Sequence, residues 1–364
     1  MPSLKEKLER YLVENAKIPL DQRVFFTENL RVMIHAGLSM SEALNTLSLQ
    51  SESKTFRKII TEVKENVESG KSLSFGLSKF PRTFAPIFIS MVQVGEVSGT
   101  LEENLQELTT QMKKDYELRS KVKGAMTYPA VILVAMLGIT TGLIVFVLPK
   151  LLDVFKEFGD VQLPLPTRIL MSVSDFVQAN GILVAIGAAI LVILFIAFAR
   201  TKRGGKILDA AILKSPIIGP IAKKVNLARF SRTVSALLKT DIPVVQAFTI
   251  TSDVLSNIHY RTAILEAGEK IKKGETISQV LGRHPKLFPP LVVQMVYVGE
   301  RSGTVDSLLA DIANFYEQQV DNVLDNLSSI IEPILILTLG FMVGGIALAV
   351  ITPIYALTQS IAES

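Results

Sequence analysis

Two stretches carry residue types at spacings that suit chemistry. Gly70-Lys71-Ser72 reads like the close of a phosphate-binding loop, in which backbone amides cradle phosphate and the lysine reaches its outer oxygens. Such a loop needs a glycine at position 65 and a strand before it, but the residue is Glu65 and the surrounding apolar spacing is helical. A second version of the tripeptide, Gly274-Glu275-Thr276, puts an acid where phosphate would need a cation, so both read as helix ends. The three histidines, His35, His259 and His284, stand at no metal-ligand or nucleophile spacing, and there is no cysteine for a thiolate site. No catalytic residue, cofactor or metal is expected.

The second stretch is VGEVSGT at Val94 to Thr100, which returns as VGERSGT at Val298 to Thr304. The glycines Gly95 and Gly99 suit a helix end, and Thr100 with Glu103 forms the S/T-x-x-E box that starts another helix. Ser98 completes that turn chemistry, and Gly299, Ser302, Gly303 and Thr304 repeat it. A turn of this kind does not require an acid, which leaves Glu96 and Glu300 to be explained.

The two stretches stand 204 positions apart, and the same offset aligns Phe26 with Phe230, Arg57 with Arg261, Phe84 with Phe288 and Pro129 with Pro333. The chain is a tandem duplication whose period is too long for a stacked repeat, so each copy is a domain. Helical spacing and breakers divide the first copy near 21–36, 41–51, 54–69, 72–79, 86–96 and 100–127. Asp241 and Pro243 replace the Gly37 turn in the second copy.

Residues 129–149, 181–199 and 333–354 hold no charge, and each approaches the roughly 20 residues that cross a hydrocarbon core. The fold class is all-α: two homologous six-helix cytoplasmic bundles and three transmembrane helices. The segments expected are a short N-terminal stretch (1–20), the first bundle (21–127), span one (128–149), an external loop (150–180) and span two (181–199). A linker with the second bundle (200–331), span three (332–354) and an external tail (355–364) follow. Eight basic residues against one acid between Arg200 and Arg229 place that loop in the cytoplasm, while 150–180 carries three basic and four acidic side chains. The net charge of +4 gathers beside the spans, where anionic headgroups attract it, and is weak support for nucleic acid.

The last helix of each copy runs toward a span with one proline between, and Pro129 and Pro333 are expected to kink it. Tyr128 suits an interfacial anchor, and Glu332 is a carboxylate at the bilayer edge. Gly138-x-x-x-Gly142 and Gly340-x-x-x-Gly344 allow close helix packing.

The doubled domain, the VGExSGT turn, Tyr128-Pro129, Glu332-Pro333 and LPLPTR at Leu163 to Arg168 resemble the inner-membrane platform proteins of type IV pilus and type II secretion machines. The resemblance covers nearly the whole chain. It implies a non-catalytic, multi-pass protein of the inner membrane, set between a cytoplasmic assembly or secretion ATPase and pilin or pseudopilin subunits. Other inner-membrane components and a homo-oligomer are implied as well, and the pilus and secretion subtypes both stay open. Glu96 and Glu300 would then pair with a basic side chain of their own bundle, or contact the ATPase or a neighbouring protomer. Tyr128, Pro129, Glu332 and Pro333 become candidates for pilin contact. A transporter is the competing class, but charge-free spans offer no ion relay and the two halves point their spans the same way.

Overall fold

The computed structural model describes residues 13, 15–147, 149 and 165–362. Helix is the regular structure throughout them, and no strand occurs among the described residues. Copy 1 comprises α1 (Leu20–His35), α2 (Met40–Gln50), α3 (Lys54–Glu68), α4 (Leu73–Ser78), α5 (Pro86–Ser98) and α6 (Leu101–Gly142), which passes into a π-helical stretch at Leu143–Val147. After α7 (Leu165–Arg200) and α8 (Lys202–Lys214), copy 2 repeats the series as α9 (Ile218–Lys239), α10 (Val244–Val254), α11 (Ile258–Ile271), α12 (Ile277–Gly282), α13 (Pro290–Ser302) and α14 (Val305–Ala362). Helices α2, α4 and α5 recur at the 204-residue offset with identical bounds.

The breakers act as their chemistry requires. Gly37 ends α1 at φ +81°, and Asp241 holds the same left-handed conformation at φ 56°. The bonds around the two turns match: Leu38 donates to the Met33 carbonyl at 3.0 Å, and Ile242 to Leu237 at 3.1 Å. Aspartate reaches this region because its short polar side chain tolerates it better than a bulky one would.

Contacts divide the chain into two compact units, one of residues 1–120 with 209–321, the other of 121–208 with 322–364. Both bundles belong to the first. Copy 1 is centred on Phe26, Phe56, Phe84 and Phe88, with the Phe26 and Phe84 rings 5.7 Å apart. Copy 2 keeps Phe230 and Phe288 at 5.3 Å and puts Tyr260 in the place of Phe56. The buried Tyr260 hydroxyl donates to the Leu287 carbonyl at 2.8 Å, and burial pushes its pKa up. Each such ring contributes about 1.5–3 kcal/mol by leaving water. One internal tie also recurs with its signs exchanged: Lys113 pairs with Glu28 at 2.8 Å in copy 1, and Glu317 with Arg232 at 2.9 Å at the equivalent places in copy 2.

The copies meet within this unit. Leu237, Ile242, Ala247 and Ile250 of copy 2 join the copy 1 core, and Gln111 of α6 donates to Thr233 of α9 at 3.1 Å. Asp115 of α6 lies 2.7 Å from Arg119 and 3.1 Å from Arg229 of α9. The latter approach is an ion pair without hydrogen-bond alignment. Burial lowers the pKa of Arg229, Asp115 opposes that shift and Arg119 adds to it.

The second unit holds apolar helix. Among the described residues three helices are long and apolar enough to cross a membrane: Leu101–Gly142, Ala179–Arg200 and Val305–Gly345. Helix α6 continues through Pro129 and α14 through Pro333, so neither proline ends its segment. The non-helical residue in α7 is Asn180, at φ −126° and ψ 23°, just before the span. The loop expected over 150–180 lies outside the described residues from 150 to 164, and from Leu165 the chain is already helical. Of the expected N-terminal segment, 1–12 and 14 lie outside them too, as do the final two residues of the tail, which is helical to Ala362.

Candidate functional site

The doubled corner is built by the contact of α5 with α6, and of α13 with α14. Gly99 and Gly303 end their helices in the left-handed region, at φ +76° and +74°. Gly95 is required by space: a Cβ there would stand 2.8 Å from the Leu101 Cα, and one on Gly299 would stand 3.0 Å from the Val305 Cα. Those targets are backbone and cannot swing aside. Ser98 donates to the Val94 carbonyl at 2.8 Å and lies 2.6 Å from the Thr100 hydroxyl. Ser302 repeats this with Val298 at 3.0 Å and Thr304 at 2.6 Å.

The acid of the motif points away from the corner and across the bundle. Both Glu96 oxygens receive backbone amides from the first turn of α4, one from Leu73 and the other from Ser74 at 2.9 Å. The Ser72 hydroxyl accepts the next amide, Phe75, at 3.1 Å. In copy 2 the Glu300 carboxylate receives Ile277 and, at 3.1 Å, Ser278, while Thr276 accepts Gln279 at 3.3 Å. A carboxylate at this end meets the positive pole of the helix and satisfies donors with no intrahelical partner. Within its bundle Glu96 is thus held by main-chain amides, and Glu300 by main-chain amides and the Ser278 hydroxyl, which donates to it at 2.5 Å, where the sequence had suggested a basic side chain. Backbone donors leave no side-chain signature, and the available signal was the hydroxyl pair Ser72/Ser74, matched by Thr276/Ser278.

This arrangement also decides the Gly70-Lys71-Ser72 question. Gly70, at φ +81°, closes α3, and the amides of the α4 first turn that a phosphate would use are already held by the Glu96 carboxylate. Among the described residues no group of three or more histidine, aspartate or glutamate side chains gathers to hold a metal ion.

At the start of the spans Tyr128, Glu332 and Pro333 are exposed and Pro129 is buried. A Cβ on Gly138, Gly142, Gly340 or Gly344 would meet nothing within 4 Å, so the described part of this chain packs no helix against them. The Thr140 hydroxyl of α6 instead lies against the Met342 sulfur of α14.

Missed by sequence reasoning was Asp209, the single acid of the basic loop. It accepts the Ile258 amide at 2.7 Å through its side chain and Asn257 at 3.3 Å through its carbonyl, tying α8 to the start of α11.

A duplicated six-helix bundle whose last helix is continuous with an apolar stretch in each copy defines a class of multi-pass membrane protein. The family described as "Type II secretion system (T2SS), protein F" matches residues 26–149 and 230–353, one match per copy. The chain belongs to that family. It is 34% identical over 336 residues to the type IV pilus assembly protein PilC of Thermus thermophilus, covering 92% of this chain and 82% of that one. It is 33% identical over 344 residues to the type IV pilus assembly protein TapC of Aeromonas hydrophila, covering 94% and 83%. The type II secretion system protein F of the same organism is 30% identical over 363 residues, covering 98% and 92%.

Proposed function

We propose that the chain is the non-catalytic platform of a type IV pilus assembly machine in the cytoplasmic membrane, coupling a cytoplasmic ATPase to the insertion or removal of pilin subunits. The observation that carries this reading is the unbroken run of α6 and α14 from a bundle into an apolar stretch. A continuous helix of about 1.5 Å rise per residue transmits displacement along its length. Both bundles face the cytoplasm, as the basic loop after span two requires. Tyr128, Pro129, Glu332 and Pro333 would meet a pilin, and the chain works as a homo-oligomer beside other inner-membrane components. The equivalent platform of a type II secretion system is the second reading. Relatives named for the pilus reach 34% identity and those named for secretion 30–32%, which favours the first.

Intact protein extracted in mild detergent should co-purify with the ATPase and pilin of its own cell and hydrolyse no nucleotide alone. Hydrolysis by the purified chain that disappears in Lys71→Ala would overturn the non-catalytic reading. For orientation, a reporter active only outside the cytoplasm should work when fused within residues 155–175 and fail at 203–215. The reverse pattern would refute the cytoplasmic placement of the bundles.

A further inference from the structure

The two copies do not meet through like faces. Copy 2 lays the outer face of α9 and α10 on α5 and α6 of copy 1, with α10 packed on α5 and the Gln111–Thr233 and Asp115–Arg229 contacts beside it. A symmetric joint would cover the equivalent α1–α2 face of copy 1 in return. That face is open. Val32 is 47% exposed where Ala236 is 0%, and Leu38 is 39% exposed where Ile242 is 2%. The receiving surface shows the same imbalance in the other direction: Leu291 on α13 is 46% exposed where Ile87 on α5 is 8%, and Phe315 is exposed where Gln111 is buried.

The joint is therefore heterologous, one kind of face seated on another kind. Each chain has two faces of each kind and uses one of each internally. One α1–α2 face and one α13–α14 face remain, built on the same scaffolds as the two that already fit, and both present apolar side chains to solvent.

We propose that the free α1–α2 face of one protomer docks on the free α13–α14 face of a second copy of this chain, repeating the internal joint between molecules. The proposal rests on the functional reading above only in requiring that the chain assemble with itself. Each copy hands its last helix to a span, and all spans share one bilayer. A heterologous joint repeated in this way closes as a ring of alternating copies where its rotation permits and otherwise extends as an open chain of them. The residues at the joint's polar positions change together. Where the internal joint pairs Asp115 with Arg229, the free faces offer Gln319 and Phe25, and where it pairs Gln111 with Thr233 they offer Phe315 and Asn29. Gln319 accepts from Lys224 of its own bundle at 3.0 Å, so the free face carries no carboxylate where the internal joint has Asp115. Phe25 opposite Asp115 would take from the carboxylate one of the two guanidinium groups it now faces, leaving Arg119, which disfavours a neighbour in place of the internal partner.

The chain has no cysteine, so introduced thiols are unique. Phe25→Cys and Gln319→Cys are made in the full-length membrane protein, separately, co-expressed and combined, and treated with a short bis-thiol reagent in membranes. Co-expressed single variants should give one cross-linked dimer, the combined variant a ladder, and neither single variant alone any product. Thermal unfolding of each variant confirms the fold. Leu38→Glu added to the combined variant should abolish the ladder with the thermal midpoint unchanged, because the side chain is exposed within the chain. Failure of folded, co-expressed variants to cross-link would overturn the proposal. So would Phe25→Cys linking to itself, the mark of a symmetric dimer, or a ladder indifferent to Leu38→Glu. No readout depends on filaments, ATPase or pilin, so an error in the functional reading cannot pass for an error here.

Discussion

The double variant Glu96→Gln/Glu300→Gln is expected to lose about 4 kcal/mol of stability, about 2 from each copy, because hydrogen bonds to charged groups are worth roughly 1.5–3 kcal/mol. Each carboxylate offers two oxygens to two amides of a helix's first turn. An amide offers one oxygen, turns its own donor toward the second amide, and brings no charge to the positive helix end. The corners lie in separate bundles with no shared partner, so the single variants should each lose half and the losses should add. Denaturant or thermal unfolding of the purified chain is the measurement. Unchanged stability together with failed filament assembly would show that these acids act on a partner instead.

Asp115→Asn is expected to cost about 3 kcal/mol, the scale for breaking a buried ion pair on one side. The carboxylate lies between Arg119 and Arg229, and the side chains of Asp115 and Arg229 are only 18% and 12% exposed. Arg23 feels the same group: burial lowers its pKa most, Arg119 adds to this, and Asp115 opposes it. Without the carboxylate the half-buried Arg23 and Arg229 lose their shared counter-charge, while Arg119, 57% exposed, stays in contact with water. At the size of the first unit the loss corresponds to a fall of about 6–12 °C in thermal midpoint. Replacing both partners, Asp115→Leu with Arg229→Met, should recover most of it, since an apolar pair has no stranded charge. If the double replacement is as damaged as Asp115→Asn, the cause is lost packing and the ion pair contributes little.

The fold was readable because its determinants are local or repeated. Gly37, Gly70 and Pro86 punctuate helices through backbone chemistry that acts wherever it occurs, and the constant offset carried each assignment from one copy to the other. The substitution of Asp241 for Gly37 was legible for the same reason, since few residue types other than glycine reach that conformation. The apolar runs announced the spans. Residues 165–179 lie before the apolar span yet are helical, since PTRILMSVSDFVQA lacks an internal breaker, and Asn180 marks the break before the span.

At the corners the glycines were legible and the acids were not. A glycine's role follows from its own backbone, whereas that of Glu96 depends on which amides lie across the bundle, and amides are present in every sequence. The joint between copies was equally hidden. Val32 and Ala236 are both ordinary helix residues, and only the assembled unit distinguishes a covered face from an open one.

The sign-exchanged ties in the two bundles bear on how a duplicated chain folds at all. Two near-identical bundles made in succession invite exchange, in which a first helix of one copy closes against the last helix of the other. Such a swap would bring Glu28 against Glu317 and Arg232 against Lys113, two repulsions in place of two attractions. Four side chains thus label each copy's helices as its own.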